Sequence, residues 1–363
     1  MFYTIVFYLL LIIAAKSNRN NYIRAIKATC IITAIYMGIR YDYCSDYPGY
    51  QMLFEMFSNP NFEYSDTIHV EYGWFLINKW CKPIGYYGFV FLTSCIFAYG
   101  IYVLMSIYIK SKYVAIVILG IVSAGGFTTL LSAQRQMLVA AIFMIAYGFL
   151  LYGHINEKWD ILKPRSILYF IIIFLCSYFH KSAIFLFVVP FIFLLPKRSN
   201  LVILGVILIG LLFVAVGDSI IAPMFQSFSE QNEFYDYIKF TEDYGFSVTL
   251  LQGMMWFFQL YYILKVYKQN NIRTDEMVVL LLSIFAILIT LLGYYLNQVG
   301  RIALYLYVFT YLSIAIVVKY NTKNDNKIYL AANYVWIIWN MLKVFTINVG
   351  TYQEYKTIFK VLL

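Results

Sequence analysis

Three arginines at the edges of apolar runs, Arg40, Arg135 and Arg301, are the residues of this chain best suited to chemistry. A guanidinium is planar, stays charged at any working pH and presents its N–H groups as a fork that matches phosphate oxygens. Three of them at one membrane depth predict a bound phosphate or diphosphate, with Lys181 as a fourth cationic candidate. Proton acceptors stand close in sequence or in predicted depth. Asp42 and Asp46 follow Arg40 in the run Gly38-Ile39-Arg40-Tyr41-Asp42-Tyr43-Cys44-Ser45-Asp46-Tyr47-Pro48-Gly49-Tyr50, and Glu71 lies farther along the same segment. His180 precedes Lys181 within otherwise apolar sequence, where an ionisable group is a functional candidate by default. Tyr47, Tyr50, Gln134, Gln136 and Tyr305 complete the set as hydrogen-bonding side chains. A plainer reading stands beside each of these: a snorkelling Arg40 paired with a local Asp inside an aromatic belt, a short polar turn at Gln134-Arg135-Gln136, and a structural His180 bonded between helices.

The sequence has no HExxH, P-loop, GxGxxG, GxSxG or Asp-x-Asp element. The five cysteines show no metal or haem spacing, although Cys44 and Cys81 share one predicted outer loop and are placed to pair there. The expectation is therefore chemistry without a metal or cofactor, run by arginines that neutralise a leaving group.

The elements that must position these residues are membrane helices. With 62% hydrophobic and 12% charged residues over 363 positions, and a mean hydropathy of +0.73, the chain cannot wet the surface of a soluble globule. Apolar runs broken by short polar stretches predict an all-α, polytopic helical bundle of about 12 membrane segments, some short or broken, forming one integral domain over residues 1–363. With the N-terminus outside, seventeen of the 27 basic residues but only five of the 18 acidic ones fall in inner segments, so the inner side nets +12 and the outer side −3. That is the positive-inside pattern. The overall charge of +9 thus faces anionic lipid and gives no reason to expect nucleic acid.

Two outer segments are long, residues 40–83 and 217–247, yet each is too short to bury a core of its own. In the first, Pro48 suits the first turn of a helix, with Tyr50, Leu53, Phe54 and Phe57 at three- and four-residue steps until Asn59-Pro60. This predicts an amphipathic helix on the membrane surface. Residues 71–80 predict a second, with Tyr72, Phe75, Leu76 and Lys79 on its apolar face. The second long segment mixes acidic residues with aromatics. Residues 167–195 are apolar except around His180, and each half is too short to span alone as an α-helix. The charge bias favours two short helices meeting near His180 and Lys181.

At these residues the chain resembles the EpsG family of polytopic membrane proteins, grouped with the Wzy-type O-antigen and capsular polysaccharide polymerases. The likeness rests on Arg40, Tyr41, Asp46, Tyr47 and Tyr50; on Glu71, Gly73 and Trp74; on Gln134-Arg135-Gln136; on Phe179-His180-Lys181-Ser182-Ala183; and on Arg301 with Tyr305. The family pattern commonly has glycine two places before its Asp-Tyr element, and Cys44 stands there instead. The resemblance implies a glycosyltransferase of the bacterial cytoplasmic membrane that joins undecaprenyl-diphosphate-linked oligosaccharide repeats at the outer face and releases lipid diphosphate. In that role Arg40, Arg135, Arg301 and Lys181 hold diphosphate. His180, Asp42, Asp46 or Glu71 takes the acceptor proton, and Tyr47, Tyr50, Gln134, Gln136 and Tyr305 face glycan. It also implies membrane lipid and a chain-length regulator protein as partners. A lipid-oligosaccharide flippase and an O-antigen ligase are the alternative readings.

Overall fold

The computed structural model describes residues 2–17, 21–65, 70–109, 113–152, 163–194, 205, 250–293, 297–346 and 355–358. The described structure is almost entirely helical, as the apolar runs require. The predicted outer segment 217–247 falls outside the described residues. The chain forms two compact units, one of residues 1–190 with 333–363 and one of residues 191–332.

The first unit opens with α1 (Phe2–Ser17) packed on α2 (Tyr22–Gly38), whose first turn is capped by Asn21 Oδ1 accepting from Arg24 N at 3.1 Å. After α2 come strand β1 (Arg40–Tyr41) and helix α3 (Tyr47–Phe57), which has Pro48 in its first turn. Then follow α4 (Tyr72–Cys81) and the long α5 (Gly85–Tyr108). α6 (Val114–Ser123) and α7 (Gly125–Ser132) form one bent pair with a 52° break. α8 (Gln134–Ala146), continued by a π turn at Tyr147–Leu151, packs on α5, and α9 (Pro164–Ser177) follows.

Four helical stretches are long and apolar enough to cross a membrane, within Tyr72–Tyr108, Gln134–Leu151, Thr274–Leu291 and Gly300–Tyr320, or five if the bent pair makes one crossing. Several of the remaining predicted segments form helices shorter than a full span, such as α1 at 16 residues and α9 at 14.

Helices form at both of the positions expected in the first long segment, but their buried faces are only partly those read from spacing. Tyr50, Phe54 and Phe57 of α3 are buried against Trp74 and Phe75 of α4 and Tyr86 and Phe89 of α5. On α4, however, Tyr72 is 46% exposed, and the core side carries Gly73, Trp74, Phe75 and Asn78. The packed face is set by contact with α3 and α5, and helical spacing alone does not choose among neighbouring faces. Phe179 packs against the same core.

The break near His180 is present. α9 ends at Ser177, and a 3₁₀ helix (Lys181–Leu194) of 14 residues begins after it. A 3₁₀ helix rises ~2.0 Å per residue against ~1.5 Å for an α-helix, so the same 14 residues reach about 28 Å instead of about 21 Å. Pro190 lies within it.

A two-residue antiparallel bridge closes this unit. β2 (Lys356–Thr357) pairs with β1, with Arg40 opposite Thr357 and Tyr41 opposite Lys356, and Ile358 N donates to Ile39 O at 2.9 Å. The segment that follows the final helix therefore lies at the end of the bundle where α2 finishes. All five cysteines are free thiols, so Cys44 and Cys81 do not pair.

The second unit contains α10 (Leu250–Tyr267), α11 (Thr274–Gly293), α12 (Asn297–Tyr320) and the first part of α13 (Lys323–Thr346). α11 and α12 pack closely. Ser283 Oγ donates to Phe309 O at 2.8 Å, and a Cβ on Gly293 would stand 2.3 Å from Gly300 Cα. At the opposite end of this pair, Lys319 Nζ lies 2.8 Å from Glu276 Oε1 and Arg273 forks onto Asp275 at 2.5 and 3.0 Å.

Candidate active site

Glu71 is the hub of the site. It precedes the first turn of α4 in extended conformation, with φ −65° and ψ 143°, and its carbonyl accepts from Trp74 N at 2.9 Å and Phe75 N at 3.2 Å. The side chain takes no part in capping its own helix, so its oxygens serve other segments. Oε2 is paired with Arg135 Nη1, from the first turn of α8. Oε1 accepts from Lys181 N at 3.0 Å and lies 3.4 Å from His180 Nδ1. That distance allows charge attraction but is too long for a well-formed hydrogen bond. Arg135 Nε reaches Tyr50 Oη of α3 at 3.4 Å. Three separate stretches of sequence therefore meet at one carboxylate, and Tyr50 joins as a fourth through Arg135.

A close backbone approach fixes this meeting. Gly73 N donates to Tyr178 O at 2.9 Å, and a Cβ on Gly73 would stand 2.6 Å from that oxygen and 2.9 Å from its carbon. Only glycine lets α4 lie so near the turn that carries His180 and Lys181. Glu71 is 10% exposed, Arg135 22% and His180 17%. Burial by itself would push the Glu71 carboxyl up. The His180 ring, the Arg135 charge and the Lys181 amide outweigh it and hold the carboxyl at about 2. Glu71 is accordingly an anion through the whole physiological range and a weak base.

Arg40 is placed differently. It is fully buried, donating from Nη1 to Met37 O at 2.5 Å and Ser94 Oγ at 3.3 Å, while Nε and Nη2 are buried with no hydrogen-bond partner among the described residues. No carboxylate pairs with it among the described residues: Asp42 is paired with Lys356 at 3.1 Å, and Asp46 takes a hydrogen bond from Ser45 at 3.0 Å. Asp42 and Asp46 are both exposed. Tyrosines and a glutamine connect Arg40 to the Glu71 cluster. Tyr47 Oη donates to Arg40 O at 3.3 Å, Tyr86 Oη to Tyr47 O at 3.3 Å, and Gln134 Nε2 to Tyr86 Oη at 2.8 Å, beside Arg135.

Of the residues singled out in the sequence, Glu71, Arg135, His180, Lys181 and Tyr50 come together, and Arg40, Tyr47 and Gln134 form the adjoining network. Gln134 and Gln136 are buried in the first turn of a helix, so the expected tight polar hairpin is instead a helix start packed into the bundle. Lys181 contributes its backbone N–H, and its side chain is exposed. Arg301 and Tyr305 lie on α12 in the second unit, where Tyr305 is 1% exposed. Three participants escape sequence reading: Tyr86, Ser94 and the segment 355–358. The first two lie inside an apolar run, and the third is remote in sequence from everything it touches.

These features define a polytopic membrane protein with a built cluster of charge at one end of its helices, among which no group of metal-ligating side chains occurs within the described residues. The EpsG family model matches residues 23–357, and the chain belongs to the EpsG family. Membership points to a polysaccharide-polymerase type of function, of the kind associated with glycosyltransferase-like enzymes. Comparison with curated proteins gives no match, nor does comparison with solved structures.

Proposed function

We propose that this chain is a polysaccharide polymerase of the bacterial cytoplasmic membrane, joining oligosaccharide repeats carried on undecaprenyl diphosphate at the outer face. The observation that carries the reading is the convergence of Glu71, Arg135, His180 and Tyr50 beside the buried Arg40, within a chain matched by the family model over most of its length. A terminal hydroxyl of one lipid-linked repeat attacks the anomeric carbon of the chain on a second carrier. The new glycosidic C–O bond forms as the bond to the diphosphate breaks, and lipid diphosphate leaves with the bonding electrons.

The geometry supports a division of labour. Glu71 is too acidic to take a hydroxyl proton and acts as the counter-charge that fixes Arg135. His180 is the candidate base: with Nδ1 3.4 Å from Glu71 Oε1, a proton on Nδ1 faces the carboxylate and leaves the lone pair on Nε2 to accept the proton of the attacking hydroxyl. Arg135, with Nε on Tyr50 and Nη1 on Glu71, keeps Nη2 to meet the departing diphosphate. Arg40 is a second diphosphate ligand. Arg301 and Tyr305 remain candidates from the second unit, and a chain-length regulator is a proposed protein partner.

The test uses purified full-length protein in vesicles with its lipid-linked repeat and no added metal or nucleotide sugar. A ladder of lengthening products is expected, reduced about 100-fold by Arg135→Ala on the scale of losing one preorganised donor. Movement of the glycolipid between leaflets with no new glycosidic bond overturns the polymerase in favour of a flippase. Transfer only to a different lipid acceptor overturns it in favour of a ligase.

A further inference from the structure

We infer that the buried Arg40 guanidinium is an anion subsite closed by the segment 355–358, and that a phosphate group reaches it only when this segment lifts away. The inference rests on the reading of Arg40 as a diphosphate ligand and adds the route by which that ligand is reached.

Two observations meet here. The first is that Arg40 is 0% exposed and leaves Nε and Nη2 without partners among the described residues. A buried cation with idle donors is costly unless something supplies the opposite charge. No carboxylate does so among the described residues, and two adjacent guanidinium N–H groups form the edge that grips a phosphate. The second observation is what lies over the residue. Thr357 faces Arg40 across the β1–β2 bridge, and Thr357 and nearby Tyr355 are each only 3% exposed.

The cover is fastened by few bonds. Tyr355 stacks on Tyr36 with ring centroids 4.4 Å apart and planes 9° from parallel, lies edge-on to Tyr43 at 5.0 Å, and donates its hydroxyl to Tyr36 O. Lys356 meets Asp42 at 3.1 Å, with side chains 28% and 46% exposed, an ion pair that water and salt weaken. Among the described residues the rest is a bridge of two residues, one hydrogen bond from Ile358 to Ile39, and a tilted ring contact of Tyr355 with Tyr3 at 6.2 Å. Such a clasp is stable enough to be populated and weak enough for a divalent anion to displace.

The experiment places a reversible lock on the clasp. Tyr41 and Lys356 are opposite partners in an antiparallel pair, where Cα atoms lie ~4.5–5.5 Å apart, within disulfide range. The full chain carrying Tyr41→Cys and Lys356→Cys is purified in detergent and titrated with inorganic pyrophosphate by calorimetry, first oxidised and then reduced. Binding at least tenfold weaker in the oxidised form, recovered on reduction, is expected. Because both measurements use the same folded protein, misfolding cannot imitate this result. In the otherwise native chain, Lys356→Ala should tighten binding, since less of the population is closed, and Arg40→Gln should weaken it at least tenfold.

Equal affinity in the oxidised and reduced forms overturns the clasp. Absence of pyrophosphate binding in the wild type, or unchanged binding in Arg40→Gln, overturns the subsite. A wild type that makes no polymer but binds pyrophosphate through the gated route defeats the polymerase reading alone. A wild type that makes polymer while the locked form still binds pyrophosphate defeats the clasp alone.

Discussion

Glu71→Gln is the most searching single perturbation, because it removes charge from the centre of the site while keeping its shape. The amide oxygen can still accept from Lys181 N, but Arg135 loses its counter-ion and His180 its anionic neighbour. Glutamine stands in for the protonated acid, so the penalty can be worked out from linkage. The folded carboxyl lies at about 2, below its unfolded value, so its contribution is fully present above the unfolded value and is lost as pH falls toward the folded one. With an unfolded value of about 4.3, the charged form contributes about 3 kcal/mol at pH 5 and about half that at pH 3. At ~2 °C per kcal/mol for a large domain, Glu71→Gln should melt about 6 °C below wild type at pH 5 and about 3 °C below it at pH 3. The assay is thermal unfolding of both proteins in one detergent across that range. A gap equal at pH 5 and pH 3 would refute the reasoning, as would no gap at pH 5.

The other expectations are more local. Gly73→Ala puts a methyl group 2.6 Å from the Tyr178 carbonyl oxygen, so α4 and the His180 turn must separate. A loss of about 1–3 kcal/mol is expected in thermal unfolding, with a fall in polymer yield measured on gels. Cys44 has φ +82° in the left-handed region, so Cys44→Gly should relieve about 1–2 kcal/mol of strain and offset the lost burial of the thiol. Cys44→Val keeps the side chain where a β-branched residue fits worst, and should melt clearly lower than both. Arg135→Lys keeps a charge but cannot hold Tyr50 and Glu71 at once, so the rate of ladder formation should fall at least tenfold although the protein folds.

Local pattern made much of this fold legible. Pro48 with Tyr50, Phe54 and Phe57 marked α3, and the polar interruption at His180 marked the join between α9 and the 3₁₀ helix. Cys44, two places before Asp46, occupies a backbone conformation that glycine adopts without strain, a constraint that spacing alone does not reveal. What spacing could not reveal was the choice of neighbours. The buried side of α4 is dictated by α3 and α5, the union of Glu71 with Arg135 and His180 by a glycine contact, and the cover over Arg40 by residues more than 300 positions away. Equal depth in the membrane grouped the arginines on paper. Tertiary contact decided that Arg135 meets a carboxylate and that Arg40 pairs with a strand from the far end of the sequence.

The bridge between Arg40 and Thr357 also sets an order on biogenesis. Asp42 and Lys356 are 314 positions apart, and at ~5–20 residues per second a ribosome needs roughly 15–60 seconds to travel between them. For that interval a nascent copy holds its first loop without the partner that secures it, while the intervening helices enter the bilayer. Assembly of this corner is therefore a late event, and chains whose synthesis halts before Lys356 should insert their helices yet leave this corner unfinished.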